Sequence, residues 1–195
     1  LREECVFTPA GAVFRPDGLR MVRIPITSDG FIDASSIVIE ATIRNGSATK
    51  MLTFSDCSLA TIIAEARVFM SGVEVERVQD YGRLVETLNR GISMEKRINQ
   101  NDLELGISRD ADGKAEDIGF GTNSGYIHPQ ALNFGESRTV FHKPLLGICQ
   151  QKSFIPTWAL TSQGLVIELL LCSGMADPLL TGDDSALAGD PSQDW

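Results

Sequence analysis

The pattern of hydrophobic positions changes its period twice between residues 66 and 91. Two short extended runs flank the turn-forming pair Ser71-Gly72, and their apolar members are Val68, Met70, Val73, Val75 and Val78. This arrangement predicts a β-hairpin. The spacing then lengthens to that of an amphipathic helix, with apolar side chains at Tyr81, Leu84, Val85 and Leu88. Asp80 is placed to act as the N-cap of this helix and Gly91 to end it.

Most of the remaining regular pattern is typical of β-strands. Residues 36–44 alternate cleanly, which predicts a strand with Ile37, Ile39, Ala41 and Ile43 facing the core. Residues 18–27 also alternate, and Pro25 indicates an edge or bulged strand because proline cannot donate to a ladder. Extended segments are predicted from Ser137 onwards and over 163–172, which is almost continuously apolar. Residues 57–66 fit either a helix or a strand, and the uninterrupted run into the hairpin favours a strand that begins near Thr61.

These elements predict one all-β domain, an antiparallel jelly-roll β-sandwich with one short helix and a long inserted loop. We expect an N-terminal arm over 1–17, the jelly-roll domain over 18–173, and an acidic linker or tail over 174–195. Within the domain, the glycine-rich stretch 92–135 has no periodicity and is predicted to be the inserted loop. A length of 195 residues suits one domain with a sizeable core.

Charge and hydropathy narrow the classes of partner. The net charge is −9, from 26 acidic and 17 basic residues, and no cluster of Lys or Arg is present. Direct contact with nucleic acid is therefore not expected, since binding to phosphates needs clustered cations. No apolar run reaches the roughly 18 residues of a membrane span, and the first residues do not form a signal-peptide pattern.

The cysteines and one asparagine leave two local questions. Cys5, Cys57, Cys149 and Cys172 are far apart in sequence, which predicts reduced and mostly buried thiols instead of a zinc site or a disulfide framework.

Asn45-Gly46-Ser47 matches an N-glycosylation sequon, but Asn-Gly is also a common turn dipeptide and directly follows a predicted strand. The turn interpretation is favoured, and glycosylation of Asn45 stays open.

The sequence offers no convincing catalytic, metal or cofactor site. His128 and His142 are too few and too far apart for the metal centre of a cupin-type enzyme. Residues 108–119 imitate a calcium-binding loop but end in Gly119, where a bidentate Glu is required. Glu74 and Glu76 are two apart on a predicted strand and so are expected on one face, most simply as a solvent-facing stripe. We therefore expect a protein that is not an enzyme and that carries no cofactor.

Three segments, in order, carry a family resemblance. They are Arg23-Ile-Pro-Ile-Thr-Ser-Asp-Gly-Phe-Ile-Asp with the strand 37–43; Val68-Phe-Met-Ser-Gly-Val-Glu-Val with Tyr81-Gly82 and its helix; and Lys143-Pro-Leu-Leu-Gly to Phe154-Ile-Pro with the strand Val166-Ile-Glu-Leu. Together they resemble the first jelly roll of the double jelly-roll major capsid proteins of large eukaryotic DNA viruses, virophages and polinton-like elements. The order and spacing of the segments carry the resemblance, because no single motif is specific to that family.

The resemblance implies a structural viral capsid protein, found in the virion and assembled inside the host cell. The implied partners are copies of the chain in a trimer or pseudo-hexameric capsomer, together with a second jelly roll of the same polypeptide and minor capsid proteins. The long loop would then form towers or contacts between neighbours. We expect core or assembly surfaces at Tyr81, Leu84, Leu88, Phe154, Ile155 and Trp158. The alternatives are a carbohydrate- or protein-binding β-sandwich module and, third, a cupin-type enzyme.

Overall fold

The computed structural model describes residues 3–11, 13–15, 18–46, 53–54, 58–92, 132–160, 164–173 and 179–180. The described strands are β1 (Met21–Ile26), β2 (Phe31–Ile32), β3 (Ile39–Arg44), β4 (Thr53–Phe54), β5 (Ile63–Met70), β6 (Val73–Gln79), β7 (Ser137–His142), β8 (Ile155–Pro156), β9 (Leu165–Leu171) and β10 (Leu179–Leu180). The described helices are α1 (Tyr81–Arg90) and the single turn α2 (Gly147–Gln150), with 3₁₀ turns at Ala34–Ser36, Leu59–Ile62 and Thr157–Ala159. The architecture is therefore mostly β, as predicted.

All strand pairs in the described part of the chain are antiparallel. The main sheet has the order β1-β9-β5-β6 and places Ile24, Ile167 and Val68 side by side across its three apolar strands. Three two-stranded ladders complete the set, formed by β3 with β7, β2 with β8, and β4 with β10. Strand β9, the last of these four in the chain, thus lies between β1 and the hairpin of β5 and β6. Because β1 lies at the sheet edge, the prediction from Pro25 is confirmed.

The hydrophobic core lies against the inner face of the main sheet. Strand β9 is buried along almost its whole length, which explains why its sequence is nearly continuously apolar. On β3, Ile43 is buried while Glu40, Thr42 and Arg44 are exposed, which agrees with the predicted alternation. Tyr81 and Val85 of α1 and Leu146 and Cys149 at α2 add side chains to the same core. Both helices are therefore held against the sandwich by apolar packing.

The predicted hairpin and helix are both present. Ser71 and Gly72 have φ angles of 52° and 82°, the left-handed pair that a tight two-residue turn between twisted strands requires. Helix α1 begins at Tyr81 and ends at Arg90, as its spacing indicates. Asp80 occupies the predicted N-cap position, but its backbone is left-handed and its side chain makes no cap hydrogen bond. The uncertain segment before β5 divides into a 3₁₀ turn over Leu59–Ile62 and a strand that begins at Ile63, two residues later than expected.

A β-bulge in the hairpin separates the two carboxylates that were expected on one face. Val68 pairs with Glu76, whereas the next residue, Phe69, pairs with Glu74. Val68 and Phe69 are adjacent in β5 and therefore point to opposite faces of the sheet. Their partners Glu76 and Glu74 consequently point to opposite faces as well. Glu76 consequently turns inward, and Val73 and Val75 lie exposed instead of facing the core. The predicted solvent-facing stripe of paired carboxylates was wrong because the sequence does not reveal the extra residue of a bulge.

Much of the predicted inserted loop and acidic tail falls outside the described residues. Of the stretch 92–135, the structure describes residues 92 and 132–135. Of the tail, the structure describes Leu179–Leu180, which pair with Phe54 and Thr53 of β4. The domain boundaries remain predictions.

Candidate assembly surfaces

An exposed aromatic cluster, defined as Phe31, Phe154 and Trp158, lies at the β2–β8 ladder. The rings of Phe31 and Trp158 meet edge to face, with centroids 6.4 Å apart and an interplanar angle of 83°. Phe31 is 65% exposed and Trp158 is 62% exposed. Phe154 is also exposed and directly precedes β8, whereas Ile155 is buried and pairs with Ile32. An exposed group of large aromatic side chains is the composition typical of an interface core.

Partly buried hydrogen bonds fix the backbone beneath this cluster. The Thr157 hydroxyl lies 2.7 Å from the Gly30 carbonyl oxygen and 2.9 Å from that of Ser28, and the Thr157 N–H also donates to Gly30. On the other strand, the Asp33 carboxylate accepts hydrogen bonds from the N–H and hydroxyl of Ser35. The residues next to Phe31 and Trp158 are thus tied to one another across the ladder. The two rings are presented from a rigid base, which lowers the entropy lost when a partner binds.

The outer face of α1 is a second exposed apolar surface. Tyr81 and Val85 are one helical turn apart and face the core, while Leu84 and Leu88 are 41% and 50% exposed. The helix lies close to the 3₁₀ turn before β5: a Cβ at Gly82 would be 2.6 Å from the Ala60 carbonyl oxygen. The close approach at Gly82 sets which face of the helix is buried. Of the four apolar residues that define the helical pattern, Tyr81 and Val85 are therefore in the core, and Leu84 and Leu88 are on the surface.

Tyr81 also connects α1 to the end of β7 through polar contacts. Its hydroxyl accepts a hydrogen bond from the Leu145 N–H at 2.7 Å and lies 2.8 Å from Nε2 of His142. Both Tyr81 and His142 are buried, and their rings meet edge to face. This histidine is therefore engaged in the packing between α1 and the end of β7.

A row of charged side chains crosses the outer face of the main sheet. The register aligns Arg23 of β1, Glu168 of β9, Arg67 of β5 and Arg77 of β6. Arg67 and Arg77 approach the Glu65 carboxylate at 2.6 and 2.9 Å, and Arg23 approaches Glu168 at 3.5 Å. The pKa of Arg77 is raised by its hydrogen bond to Glu65 and by the charge of that carboxylate. This row neutralises the nearly buried Glu168, the one interruption in the apolar pattern of β9.

Two described side chains that could carry chemistry, Glu76 and Cys149, are engaged in the structure around α2. The Glu76 carboxylate accepts hydrogen bonds from the N–H groups of Gly147 and Ile148 at the start of α2. Burial, and then the nearby charge of Glu76, raise the pKa of the Cys149 thiol to about 11, so it is a poor nucleophile. Among the described residues, no group of three or more His, Cys, Asp or Glu could hold a metal ion. His128 and the residues 108–119 lie outside the described residues.

The described cysteines are free, but they are not all buried. Cys149 is buried and Cys172 is partly buried, whereas Cys5 is exposed. The prediction of mostly buried thiols therefore fails at Cys5, because that residue lies in the arm and not in the sandwich. Cys57 lies outside the described residues.

Asn45 joins the end of β3 to the turn that precedes β7. Its side-chain amide is fully buried and donates to the carbonyl oxygens of Leu132 and Asn133, at 3.0 and 3.2 Å. Its backbone N–H donates to Glu136, and its carbonyl accepts from Gly135. A glycan attached to this amide nitrogen would have to occupy buried space and displace these hydrogen bonds. The folded arrangement therefore favours an unmodified Asn45.

The described helices include none that is both long and apolar enough to cross a membrane.

Comparison with known proteins identifies the fold. No protein-family model and no curated protein sequence matches this chain. Among solved structures, the chain is similar to one titled "PBCV-1 virus capsid, quasi-atomic model", with a TM-score of 0.55 at 11% sequence identity. The match covers 97% of this chain and 38% of that chain, so this chain spans well under half the length of the protein it matches. The antiparallel sheets and few short helices match a jelly-roll capsid fold.

The structure divides the six predicted packing or assembly residues into two groups. Tyr81 and Ile155 are buried in the core, whereas the other four are exposed; these are Leu84, Leu88, Phe154 and Trp158. Phe31, which packs against Trp158, is not among these six residues. A signal was available, because Phe31 follows the turn Ser28-Asp29-Gly30 and is the first large apolar residue after it. Its pairing partner is more than 120 residues away in sequence, so periodicity could not locate the cluster.

Proposed function

We propose that this chain is a structural viral capsid protein, a jelly-roll building block of capsomers in an icosahedral shell. The observation that carries the proposal is the similarity of almost the whole chain, 97% of it, to a virus capsid chain. Two residues that could carry out chemistry, Glu76 and His142, instead make hydrogen bonds that hold helices to the sandwich, which supports a structural role. We place the assembled protein in the virion, after assembly inside the host cell, and assign it no catalysis and no cofactor.

The finer assignment is to the double jelly-roll major capsid proteins, with this chain corresponding to one jelly roll. The sequence resemblance supports it, as does the coverage of 38% of the matched capsid chain. The proposed partners are copies of the chain in a trimer or pseudo-hexameric capsomer, a second jelly roll of the same polypeptide, and minor capsid proteins. Repetition of modest contacts around closed symmetry would make such a shell stable.

We assign the contacts between subunits first to the aromatic cluster and second to Leu84 and Leu88 on α1. The cluster combines large exposed apolar area with a backbone that hydrogen bonds already order. Such preorganised aromatic groups are where binding energy concentrates in protein interfaces. Leu84 and Leu88 offer a smaller apolar stripe one helical turn long.

Replacement of the aromatic pair tests this assignment. The double variant Phe31→Ser and Trp158→Ser should lower the weight-average mass measured by light scattering at a concentration where the unaltered chain is oligomeric. Val73→Ser is the matched control, because Val73 is 65% exposed but belongs to β6, at the opposite edge of the main sheet from β1. Unchanged circular dichroism should accompany the loss of mass. Equal masses for the double variant and the unaltered chain would remove the cluster from the interface.

A binding module is the second candidate, because an exposed Phe31–Trp158 pair could also contact a carbohydrate or a protein ligand. Such a module should remain monomeric at every concentration, and the same replacements should leave its mass unchanged. Mass as a function of concentration therefore separates the two candidates.

A further inference from the structure

The described part of the N-terminal arm, residues 3–11 and 13–15, is attached to the sandwich with few polar contacts. Residues 3–11, Val13 and Phe14 make no hydrogen bond and no ion pair with the described part of the chain. The first backbone hydrogen bonds occur where the arm meets the domain: the Arg15 N–H donates to Leu19, and the Gly18 N–H donates to Arg15. The arm is therefore fixed at its base, and only side-chain packing holds the rest.

That packing comes from a short repeat. The arm contains Val-Phe-Thr-Pro at 6–9 and Val-Phe-Arg-Pro at 13–16, seven residues apart. In both copies the phenylalanine faces inward: Phe14 is buried, and Phe7 is partly buried against the core. In both copies the valine faces outward, and Val6 is 83% exposed. Each copy also ends in a proline, which cannot donate a backbone hydrogen bond. The arm is thus a strap with two aromatic anchors.

The strap lies over an apolar cleft between β1, β3 and β9, with a volume of about 1380 Å³. Inward-facing side chains of the strands line the cleft, including Ile24, Ile39 and Ile167, and the arm borders it from residue 3 to residue 11. A close-packed domain interior leaves few voids larger than a water molecule. The arm therefore covers this cleft without filling it. Packing of Phe7 and Phe14 against the core holds the arm in place.

We infer that the arm is exchanged between subunits: it leaves the cleft of its own chain and occupies the same cleft in a second copy. The cleft already accommodates this segment, so the identical segment of a neighbour fits it with the same contacts. Release breaks no hydrogen bond before Arg15, and the arm pivots at Arg15, where its hydrogen bonds to the domain begin. The exposed Val6 and Val13 then lie where two subunits meet. This inference rests on the proposed function, because exchange requires neighbouring copies.

Isotope-mixed cross-linking tests the exchange on the full chain. Phe7 is replaced with the photo-crosslinking amino acid p-benzoylphenylalanine, which retains an aromatic anchor. Heavy-isotope and normal chains are mixed in equal amounts while dilute, concentrated until they assemble, and irradiated. The assembled and monomeric fractions are then separated, digested and examined by mass spectrometry for peptides that join the arm to β1, β3 or β9. With free exchange, about half of these peptides in the assembled fraction should join a heavy and a normal chain.

Two further placements of the cross-linker make the result decisive. At Ala10, an exposed arm residue that also borders the cleft, the cross-linker does not depend on the packing of Phe7 and should give the same mixture. At Phe69, a partly buried residue in the main sheet, it should give same-isotope peptides only. Assembled chains with only same-isotope arm peptides would overturn the exchange and leave the proposed function intact. A chain that never assembles would overturn both.

Discussion

The hydroxyl of Tyr81 lies 2.8 Å from Nε2 of His142, so that the first residue of α1 is bonded to the last residue of β7, sixty-one positions away in sequence. The same oxygen accepts the Leu145 N–H at 2.7 Å. Because that bond occupies the hydroxyl as an acceptor, its proton is available for the imidazole nitrogen. One buried oxygen thereby joins the helix, the strand and the segment leading to α2.

Removing this hydroxyl should destabilise the fold without emptying the core. In Tyr81→Phe the ring remains, but the Leu145 N–H and His142 each lose a buried partner, so the free energy of unfolding should fall by about 1–3 kcal/mol. Urea denaturation followed by circular dichroism measures the change. Leu88→Ala on the exposed face of the same helix is the control and should change stability by no more than about 0.5 kcal/mol. Equal stability of Tyr81→Phe and the unaltered chain would show that the hydroxyl bonds are not formed.

A methyl group at Gly82 should disturb the seating of α1. The added Cβ would lie 2.6 Å from the Ala60 carbonyl oxygen, a backbone atom that cannot move aside alone. Gly82→Ala should therefore lower the free energy of unfolding by about 1–3 kcal/mol despite the better helix propensity of alanine. Gly91→Ala is the matched control, because its Cβ meets only the Leu88 carbonyl oxygen at 3.4 Å and its φ is −73°. If Gly82→Ala proved as stable as Gly91→Ala, α1 would not approach the 3₁₀ turn as described.

Thiol reactivity should differ sharply between the arm and the core. Cys5 is exposed, whereas burial raises the pKa of Cys149 to about 11. At pH 8 an alkylating reagent should modify Cys5 quickly and Cys149 only after unfolding, as peptide mass spectrometry can show. Rapid modification of Cys149 in the folded chain would contradict the assignment.

The same thiol predicts a pH dependence of stability. Its pKa is higher in the folded state than the ordinary value of 9.0, so folding favours the protonated thiol. The associated stability is present below pH 9 and is lost as the pH rises from 9 towards about 11. Unfolding curves at pH 8 and pH 10.5 should therefore differ more for the unaltered chain than for Cys149→Ala. An identical pH response in the two chains would show that the thiol is not the responsible group.

Local patterns in the sequence were sufficient for the hairpin, α1 and the buried strand β9. Ser71-Gly72 determines a turn by its tolerance of positive φ, and the spacing from Tyr81 to Leu88 suits only a helix. The orientation of that helix was not predictable, because Gly82 and the backbone at Ala60 decide which apolar positions are buried. Leu84 and Leu88 are exposed for this reason.

Long-range relationships account for what the sequence did not reveal. The bulge that separates Glu74 from Glu76 depends on the register between β5 and β6. The cluster of Phe31 with Trp158 depends on the pairing of β2 with β8, and the contact of Tyr81 with His142 depends on how α1 meets β7. Composition and alternation identify which residues are apolar, but only the topology determines which of them meet.

Self-assembly is tested by the native mass of the chain as a function of concentration, measured by light scattering with electron microscopy of the same samples. For a capsid protein we expect a rise from monomer to trimers or pseudo-hexameric particles with a regular outline, since repeated contacts between identical sandwiches drive the assembly. A monomer that persists from micromolar to millimolar concentration, in low and in high salt, would contradict self-assembly of this chain and favour the binding module.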